Sequence, residues 1–356
     1  MKTSTILGIA HALPTEKVTQ EELEVRFGAK AVKSIYKMSG IRERRVVSPG
    51  QCASDLGYAA AKRLIDHLNI DVKTIDLLTF ASQTPDYKIP ATSAVLHGKL
   101  GLSEQCCVFD IGQACSSFIH SLQVAHSMLV AGTAKRALVI NADAISTLIH
   151  PMDRGLVTLH GDGAAAAIME TSTIEQGGIE YIQIGTDGTK YDKLIIPAGG
   201  SRMPSSEKTK LENTDDDGCV RTLEHLYMDG PAVFHFAVYK VTDVIKEALA
   251  KMNVTIDDFD NVLLHQANKT MVDLIYRSIG VPSEKRFYYM EEIGNSSGAS
   301  LPSTLAQAWR EGVIKPGSRT LMCTFGGGLS WGVVAIKWPA DAAAAVPGIV
   351  DAVAFA

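Results

Sequence analysis

Short apolar runs alternate along this chain with longer segments in which apolar residues recur at helical spacing. The short runs are bounded by Gly, Asp or Lys and are typical of buried strands, whereas the longer segments predict amphipathic helices. Strands that alternate with helices indicate an α/β fold. The elements predicted in the first half are a helix over residues 53–69, strand Ile75–Ser82, a helix from Gly112 to about Gly132, strand Lys135–Ala142 and strand Gly161–Met169.

The same order of elements occurs a second time further along the chain. Its members are helix 231–252, strand Val262–His265, helix 299–312, strand Arg319–Phe325 and strand Gly326–Lys337. The residues that lead into equivalent strands also agree, since Ile75-Asp-Leu-Leu78 matches Phe259-Asp-Asn-Val262. This repetition indicates that the chain arose by duplication of one half.

The duplication predicts how the chain is divided. An N-terminal half over residues 1–172 carries a cysteine at a strand-to-helix junction, and a C-terminal half over residues 173–340 carries a histidine and an asparagine at comparable junctions. Residues 341–356 are rich in Ala and Val and are predicted to form a tail. The polar segment Ser201–Gly218 interrupts the repeat and is predicted to be a solvated surface excursion.

Composition narrows the class of protein. Of the 356 residues 46% are apolar and 21% are charged, which allows a substantial core. The formal net charge of -5 and the lack of a long basic run argue against nucleic-acid binding. Residues 1–13 lack the features of a signal peptide and no apolar segment has the length of a membrane span, so we expect a cytoplasmic protein. There is no HExxH motif or clustered Cys/His spacing, so no metal site is expected.

One of the six cysteines stands at a chemically distinctive place. Cys115 lies in Asp110-Ile-Gly-Gln-Ala-Cys-Ser-Ser-Phe118, where a strand turns directly into a long apolar helix. The unpaired N–H groups of a helix N-terminus stabilise a thiolate, so this position predicts a lowered thiol pKa and a nucleophile. The alternative is a small buried structural thiol, as is usual for a free cysteine.

Two further polar residues occupy similar junctions in the second half. His265 ends an apolar strand within Leu263-Leu-His-Gln-Ala-Asn268, and Asn295 lies before a helix within Gly294-Asn-Ser-Ser-Gly298. Taken singly, they could be a buried core histidine and a helix cap. The ends of parallel strands in two related halves converge, however, so Cys115, His265 and Asn295 are predicted to meet. A cysteine thioester could then react with an enolate whose oxygen is held by an imidazole N–H and an amide NH2.

Several short motifs occur in order along the chain. They are Gly40-Ile-Arg-Glu-Arg44, the segment around Cys115, Asp153-Arg-Gly155, Gly161-Asp-Gly163, His265-Gln-Ala-Asn268, Gly294-Asn295 and Phe325-Gly-Gly-Gly328. Together they resemble the motifs of the β-ketoacyl-acyl carrier protein synthase III group of the thiolase superfamily. The resemblance extends from about Ile6 to Lys337 and implies a thiolase fold, in which duplicated βαβαβαββ halves form a five-layer αβαβα architecture. It also implies a homodimer.

The resemblance implies a role for each matching residue in a decarboxylative Claisen condensation. Cys115 would be acylated, and its backbone N–H and that of Gly328 would form an oxyanion hole. His265 and Asn295 would bind a malonyl-type thioester and its enolate, while the apolar face of Phe325 would favour decarboxylation. No cofactor is expected, since the substrates are acyl-coenzyme A or acyl carrier protein thioesters.

Other matches and departures concern how substrates enter. Asn268 would help to hold water around the pantetheine arm, and Arg154 would stand at the tunnel mouth. Ile89 occupies the acyl-gate position, which is commonly aromatic, and therefore predicts a more open pocket. Where related enzymes often have a Trp that stacks on adenine and a nearby Arg, this chain has Ser34 and Met38.

These departures favour delivery of at least one substrate by an acyl carrier protein. A carrier-docking Arg is replaced by Thr270, but Lys269 and Arg277 on the same helix could supply the positive charge. The departures also favour a specialised relative that condenses two preformed acyl groups, as in resorcinol, pyrone or quinolone formation. The sequence therefore predicts a role in specialised lipid or polyketide biosynthesis.

Three other functions compete with condensation as interpretations of this sequence. An acyltransferase of the same fold would pass the acyl group of Cys115 to an O, N or S nucleophile, but such enzymes often alter the His or Asn that this chain retains. A papain-like cysteine hydrolase shares the Cys, His, Asn order but has a Cys-Gly-Ser-Cys-Trp pattern that is absent here. A non-catalytic partner subunit would be expected to lack the nucleophile.

Overall fold

The computed structural model describes residues 1–340, so the tail predicted over residues 341–356 lies outside the described residues. The strands are β1 (Lys2–Ala12), β2 (Lys17–Thr19), β3 (Glu43–Arg45), β4 (Leu77–Ala81), β5 (Cys107–Ile111), β6 (Arg136–Asp143), β7 (Gly163–Thr173), β8 (Gly178–Thr186), β9 (Leu194–Ile195), β10 (Asn213–Thr214), β11 (Val220–Arg221), β12 (Tyr227–Met228), β13 (Asn261–Leu264), β14 (Arg319–Gly326) and β15 (Ser330–Lys337). The helices are α1 (Gln20–Phe27), α2 (Ala29–Ser39), α3 (Ala53–His67), α4 (Thr92–Leu100), α5 (Ser117–Ala131), α6 (Arg154–Val157), α7 (Gly230–His235), α8 (Thr242–Met252), α9 (Lys269–Ser278), α10 (Met290–Ile293) and α11 (Ser300–Arg310). No helix within residues 1–340 is long and apolar enough to cross a membrane.

Two mixed sheets repeat the same strand pattern. The first has the order β1-β7-β6-β4-β5 and the second the order β8-β15-β14-β13. In each sheet a parallel pair, β4 with β6 or β13 with β14, continues into antiparallel strands. A lone parallel bridge between Val262 and Arg286 takes the place that β5 has in the first sheet. The predicted duplication is therefore visible in the strand pairing itself.

The two halves also share the hydrogen bonds that fix their central strands. Asp76 accepts from the backbone N–H groups of Lys135 and Arg136, and Asp260 accepts from that of Arg319 at 2.7 Å. Backbone bonds return from Asp76 N to Arg136 O and from Asp260 N to Arg319 O. These acidic residues belong to the matching segments that precede equivalent strands in the sequence. Their hydrogen bonds hold the equivalent strands side by side. The predicted boundary after residue 172 remains a prediction, and it falls beside the turn between β7 and β8.

The central layer consists of α5 and α11, which lie between the sheets. Phe118 and Leu122 of α5 pack in one buried cluster with Leu301 and Leu305 of α11 and with apolar residues of both sheets. Full burial of side chains of this size contributes about 1.5–3 kcal/mol each. The helix α3 covers the outer face of the first sheet, and α8 and α9 pack on that of the second. The layers are thus helix, sheet, helix, sheet, helix.

The two central helices begin in the same unusual way. Ala114 and Ser297 have positive φ angles of 44° and 52°, a conformation that L-residues rarely adopt. Each starts a 3-10 turn, Ala114–Ser116 or Ser297–Ala299, that leads directly into α5 or α11. Cys115 in the first turn therefore corresponds to Gly298 in the second.

Two regions differ in detail from a simple repeat. The helix predicted over residues 231–252 is divided, because a π-helical segment over Phe236–Val241 separates α7 from α8. The polar excursion Ser201–Gly218 is almost wholly exposed, as predicted. It is tied to the body of the protein at Arg221, which forms ion pairs with Asp153 at 2.9 Å and Asp215 at 2.7 Å.

Candidate active site

Two cavities meet beside Cys115 at the junction of the two halves. The larger, of about 280 Å³, extends between apolar side chains that include Leu148 and Leu226, and we name it the acyl cavity. The smaller, of about 150 Å³, is lined by His265 and Asn295, and we name it the second cavity. The three residues that the sequence predicted to converge therefore share one space. The residues that line both cavities are Cys115, His160 and Leu194.

The thiol of Cys115 is buried and un-ionised in this structure. Cys115 lies in the 3-10 turn before α5, and its Sγ is 3.7 Å from the hydroxyl oxygen of Ser297. Burial raises the pKa of the Cys115 thiol to about 12, the Ser297 contact opposes this rise, and the charge of Asp143 adds to it. The predicted lowering of the thiol pKa was therefore wrong, because desolvation outweighs the stabilisation of a thiolate by the helix start. The raised pKa favours the protonated form of the thiol at neutral pH.

Asn295 is oriented by its own loop. Its side-chain oxygen accepts a hydrogen bond from the backbone N–H of Ser297 at 3.0 Å. Its backbone joins the first half, donating to Leu159 O at 2.9 Å and accepting from Gly161 N at 3.1 Å. Because the amide oxygen is engaged, the NH2 group is the part of the side chain that can serve a ligand in the second cavity.

His265 is held by packing rather than by a side-chain hydrogen bond. Its backbone N–H donates to Cys323 O at the end of β13, and its ring meets Phe325 edge to face. Burial, and then the neighbouring His160, lower the pKa of His265 to about 3, so the imidazole is neutral. Its Nδ1 is buried with no hydrogen-bond partner within residues 1–340. A buried unpaired N–H is costlier than an unpaired acceptor, which favours a proton on Nε2.

The glycine segment that begins at the last residue of β14 brings backbone against the nucleophile. A Cβ on Gly326 would lie 2.6 Å from the Cβ of Cys115, so only glycine allows this approach. Gly328 lines the acyl cavity beside Cys115, in the region where the predicted oxyanion hole would lie. Phe325 lines the second cavity, as expected for a residue near the second substrate.

The predicted entrance residues occupy different settings. Asn268 lines the second cavity, and its side-chain oxygen caps α9 by accepting from Met271 N at 2.9 Å. Arg154 lines neither cavity and donates to the backbone oxygen of Asp217 at 2.9 Å. Ile89 is 88% exposed and lines neither cavity. The proposed roles of these residues remain predictions.

The predicted carrier-docking residues lie on the surface of α9. Lys269 and Arg277 are both exposed, and the Lys269 ammonium lies 3.4 Å from Asp273 and 4.3 Å from the Tyr288 ring centroid. Thr270 instead faces α2, where its hydroxyl donates to Met38 O at 2.7 Å. A docking role for Lys269 and Arg277 is compatible with this exposure and remains a prediction.

Three further residues around the nucleophile were not predicted from the sequence. His160 lines both cavities, Ser297 contacts the thiol, and Asp143 holds the loops beneath them by accepting from Gln83 N at 2.6 Å and Gly298 N at 3.0 Å. His160 could have been noticed, because it directly precedes the Gly161-Asp-Gly163 motif. Ser297 and Asp143 could not be recognised as site residues from the sequence. Their only distinguishing features are that Ser297 lies close to Asn295 and that Asp143 lies at the end of a strand.

Duplicated halves that meet around a buried thiol and two neutral side chains define the class of thiolase-fold enzymes. Residues 109–188 match the family described as 3-oxoacyl-[acyl-carrier-protein (ACP)] synthase III, and residues 249–338 match its C-terminal part. The β-ketoacyl-[acyl-carrier-protein] synthase III of Rhodopirellula baltica is 36% identical over 355 residues, covering 95% of this chain and 99% of that protein. The chain therefore belongs to the β-ketoacyl-acyl carrier protein synthase III family.

Solved structures agree with this assignment. A crystal structure of 3-oxoacyl-(acyl-carrier-protein) synthase III has a TM-score of 0.91 at 32% identity, covering 94% of this chain and 100% of that chain. The priming β-ketosynthase from the R1128 polyketide biosynthetic pathway has a TM-score of 0.82 at 31% identity, covering 94% of this chain and 96% of that chain. The predicted fold class and family resemblance are thereby confirmed.

Proposed function

We propose that this enzyme forms a carbon–carbon bond between an acyl group held on Cys115 and a second acyl thioester of malonyl or β-ketoacyl type. The observation that carries the proposal is the meeting of two cavities at Cys115, one apolar and one lined by His265 and Asn295. An acyl chain and a second thioester can then approach the same sulfur from different sides.

The first half-reaction transfers the acyl group to the enzyme. The sulfur of Cys115 attacks the thioester carbonyl, a new C–S bond forms and the carrier leaves as a thiol. Negative charge that develops on the carbonyl oxygen would be met by the backbone N–H groups of Cys115 and Gly328. The apolar side chains of the acyl cavity would hold the chain.

The second half-reaction uses the neutral donors of the second cavity. A malonyl-type thioester loses carbon dioxide, and the N–H of His265 and the NH2 of Asn295 stabilise the enolate oxygen. The enolate carbon then attacks the Cys115 thioester, forming the carbon–carbon bond and releasing the Cys115 thiolate. No cofactor other than the two thioesters is required by these steps.

The nature of the first acyl group is part of the proposal. The acyl cavity is walled by large aliphatic side chains such as Ile145, Leu148 and Leu226, which supports a chain longer than acetyl. Similarity to a priming β-ketosynthase of a polyketide pathway supports a role in specialised lipid or polyketide biosynthesis. The homodimer and the cytoplasmic location are retained as expectations from family resemblance and sequence.

Intact-protein mass spectrometry with a panel of acyl thioesters tests the proposal. We expect one acyl adduct on the wild-type enzyme, its loss in Cys115→Ala and its retention in the control Cys107→Ala, whose thiol is exposed. Addition of malonyl-type or β-ketoacyl thioesters should then discharge the adduct into a condensed product. Discharge of the acyl group to an alcohol, amine or thiol without condensation would instead support the acyltransferase alternative.

Delivery by a carrier protein can be tested in the same assay. Ser34 and Met38 are exposed and offer neither an aromatic ring nor a cation to coenzyme A. We expect a higher kcat/KM with carrier protein thioesters than with coenzyme A thioesters in at least one half-reaction. Equal efficiency in both half-reactions would contradict carrier delivery while leaving condensation intact.

A further inference from the structure

A second histidine stands at the point where the two cavities join. Cys115 and His160 are the two ionisable residues that line both the acyl cavity and the second cavity. His265 lines the second cavity but not the acyl cavity. His160 is therefore placed beside the path of the departing carrier as well as beside the nucleophile.

The ring of His160 is fixed in one tautomer by its own backbone. Its Nδ1 lies 3.2 Å from the carbonyl oxygen of Leu156, to which only a protonated Nδ1 can donate. The Nε2 atom then carries a lone pair, and it has no hydrogen-bond partner within residues 1–340. His160 is only 7% exposed, so its Nε2 is available only to groups in the cavities. The backbone bridge from His160 to Asn295 keeps the ring in place.

The two histidines thus present opposite hydrogen-bonding groups to the second cavity, one a donor and the other an acceptor. His265 has an unpaired buried Nδ1, which favours a proton on Nε2 and makes it a donor. His160 has a paired Nδ1, which leaves Nε2 as an acceptor. In the tautomer that donates from Nε2, His265 has no lone pair on that atom to accept the thiol proton, whereas Nε2 of His160 has one.

We propose that His160 is the proton acceptor for the Cys115 thiol during acylation and returns that proton to the sulfur of the departing carrier. The proposal rests on the acylation of Cys115 described above. As the C–S bond to Cys115 forms, the thiol proton moves to Nε2 of His160. As the C–S bond to the carrier breaks, the proton moves from Nε2 to the carrier sulfur, so the ring ends neutral.

The surroundings of His160 keep the free base available at neutral pH. Burial lowers the pKa of His160, while the Leu156 carbonyl and the carboxylate of Asp153 on the preceding turn oppose this shift. His265, directly after β13, and Cys115, in the turn before α5, also face the site, both in uncharged form. Acylation through Nε2 is thus available above the lowered pKa of His160 and is lost as pH falls through it.

The experiment measures single-turnover acylation of Cys115 by mass spectrometry across a range of pH, with an acyl thioester that labels the wild type. His160→Phe and His160→Gln remove the base, and we expect acylation near pH 7 to fall by about 10²-fold or more in each. Their remaining rates should rise about tenfold per pH unit, because the reaction then depends on direct ionisation of a weakly acidic thiol.

His120→Gln is the matched control. His120 is also 7% exposed, and its Nδ1 also contacts the carbonyl oxygen four residues earlier, that of Ser116 at 3.0 Å, but it lines neither cavity. It should acylate like the wild type. A second readout uses acyl-enzyme formed slowly at high pH: once returned to pH 7, the His160 variants should condense at close to the wild-type rate.

Two results would overturn the role of His160. One is a wild-type acylation rate and pH profile in His160→Phe, and the other is an equal loss of acylation and condensation, which would indicate a purely structural residue. Failure of the wild-type enzyme to acylate Cys115 with any thioester would instead overturn the proposed function itself. These failures are therefore distinguishable.

Discussion

The imidazole of His265 meets the ring of Phe325 edge to face, with the two ring centroids 5.2 Å apart and an interplanar angle of 83°. Such contacts hold a ring by shape and quadrupole rather than by hydrogen bonding. The orientation of the His265 imidazole in the second cavity thus depends on an apolar neighbour. Because Phe325 holds the ring, no hydrogen bond from residues 1–340 to the imidazole nitrogens is needed for this, and Nε2 stays free for a ligand.

Asn295→Ala should separate the two half-reactions. The acyl adduct on Cys115 should still form, because its oxyanion is met by backbone N–H groups, whereas condensation should fall by about 10²- to 10³-fold through loss of one enolate donor. Adduct formation is followed by mass spectrometry and product by chromatography. Condensation at a near wild-type rate would remove the enolate-stabilising role and favour simple acyl transfer.

Gly326→Ala should displace the nucleophile. The added methyl group would lie 2.6 Å from the Cβ of Cys115, and such overpacking costs about 1–3 kcal/mol. We expect lower thermal stability and a loss of acylation at least tenfold. Gly188→Ala is the control, since nothing lies within 4 Å of its Cβ position. Equal behaviour of the two variants would show that the close approach at Gly326 is unimportant.

Leu226→Trp should shorten the acyl group that the enzyme accepts. Leu226 lines the acyl cavity and is 8% exposed, so a larger side chain must occupy space that the acyl chain would use. Competition among thioesters of increasing length, read as adduct masses, should shift toward shorter chains. Leu223→Trp provides the control, because Leu223 lies on the same segment but is 39% exposed and outside both cavities. An unchanged preference in Leu226→Trp would place the acyl chain elsewhere.

Asp143→Asn should change how stability depends on pH. Burial raises the pKa of Asp143 to about 6, although hydrogen bonds from Gln83 N and Gly298 N oppose the rise. A raised folded-state pKa contributes stability that is present below the unfolded value and is lost as pH rises through about 6. The stability advantage of wild type over Asp143→Asn should therefore shrink by about 2 kcal/mol between pH 4 and 7.

Chemical denaturation at each pH measures this difference directly. Asp162 is also buried with its pKa raised to about 6, and its contribution is common to both proteins except for the smallest cause of the rise, which is the charge of Asp143. Asp66→Asn, at an exposed ion pair with Lys62, should show no comparable trend. A constant difference between wild type and Asp143→Asn would contradict the raised pKa.

The duplication, the alternation of strands and helices and the convergence of the three site residues could be predicted from the sequence. The matching segments before equivalent strands, which contain Asp76 and Asp260, are local sequence patterns. In the structure each of these two carboxylates accepts the equivalent hydrogen bond from a backbone N–H of the neighbouring strand. The ionisation of Cys115 could not be predicted, because the degree of burial depends on how two halves pack, whereas the helix start is visible in the sequence. The position of His160 before the Gly161-Asp-Gly163 motif is visible in the sequence, but its tautomer could not be predicted, because it follows from a backbone contact that no pattern records.

The correspondence between Cys115 and Gly298 limits how many acyl groups the protein can carry. The two 3-10 turns lie against each other, and a Cβ on Gly298 would be 2.4 Å from the hydroxyl oxygen of Ser117. A cysteine at position 298 would have no room, so the second half cannot hold a nucleophile equivalent to Cys115. We therefore expect this site to load one acyl group per chain, whatever the excess of thioester supplied.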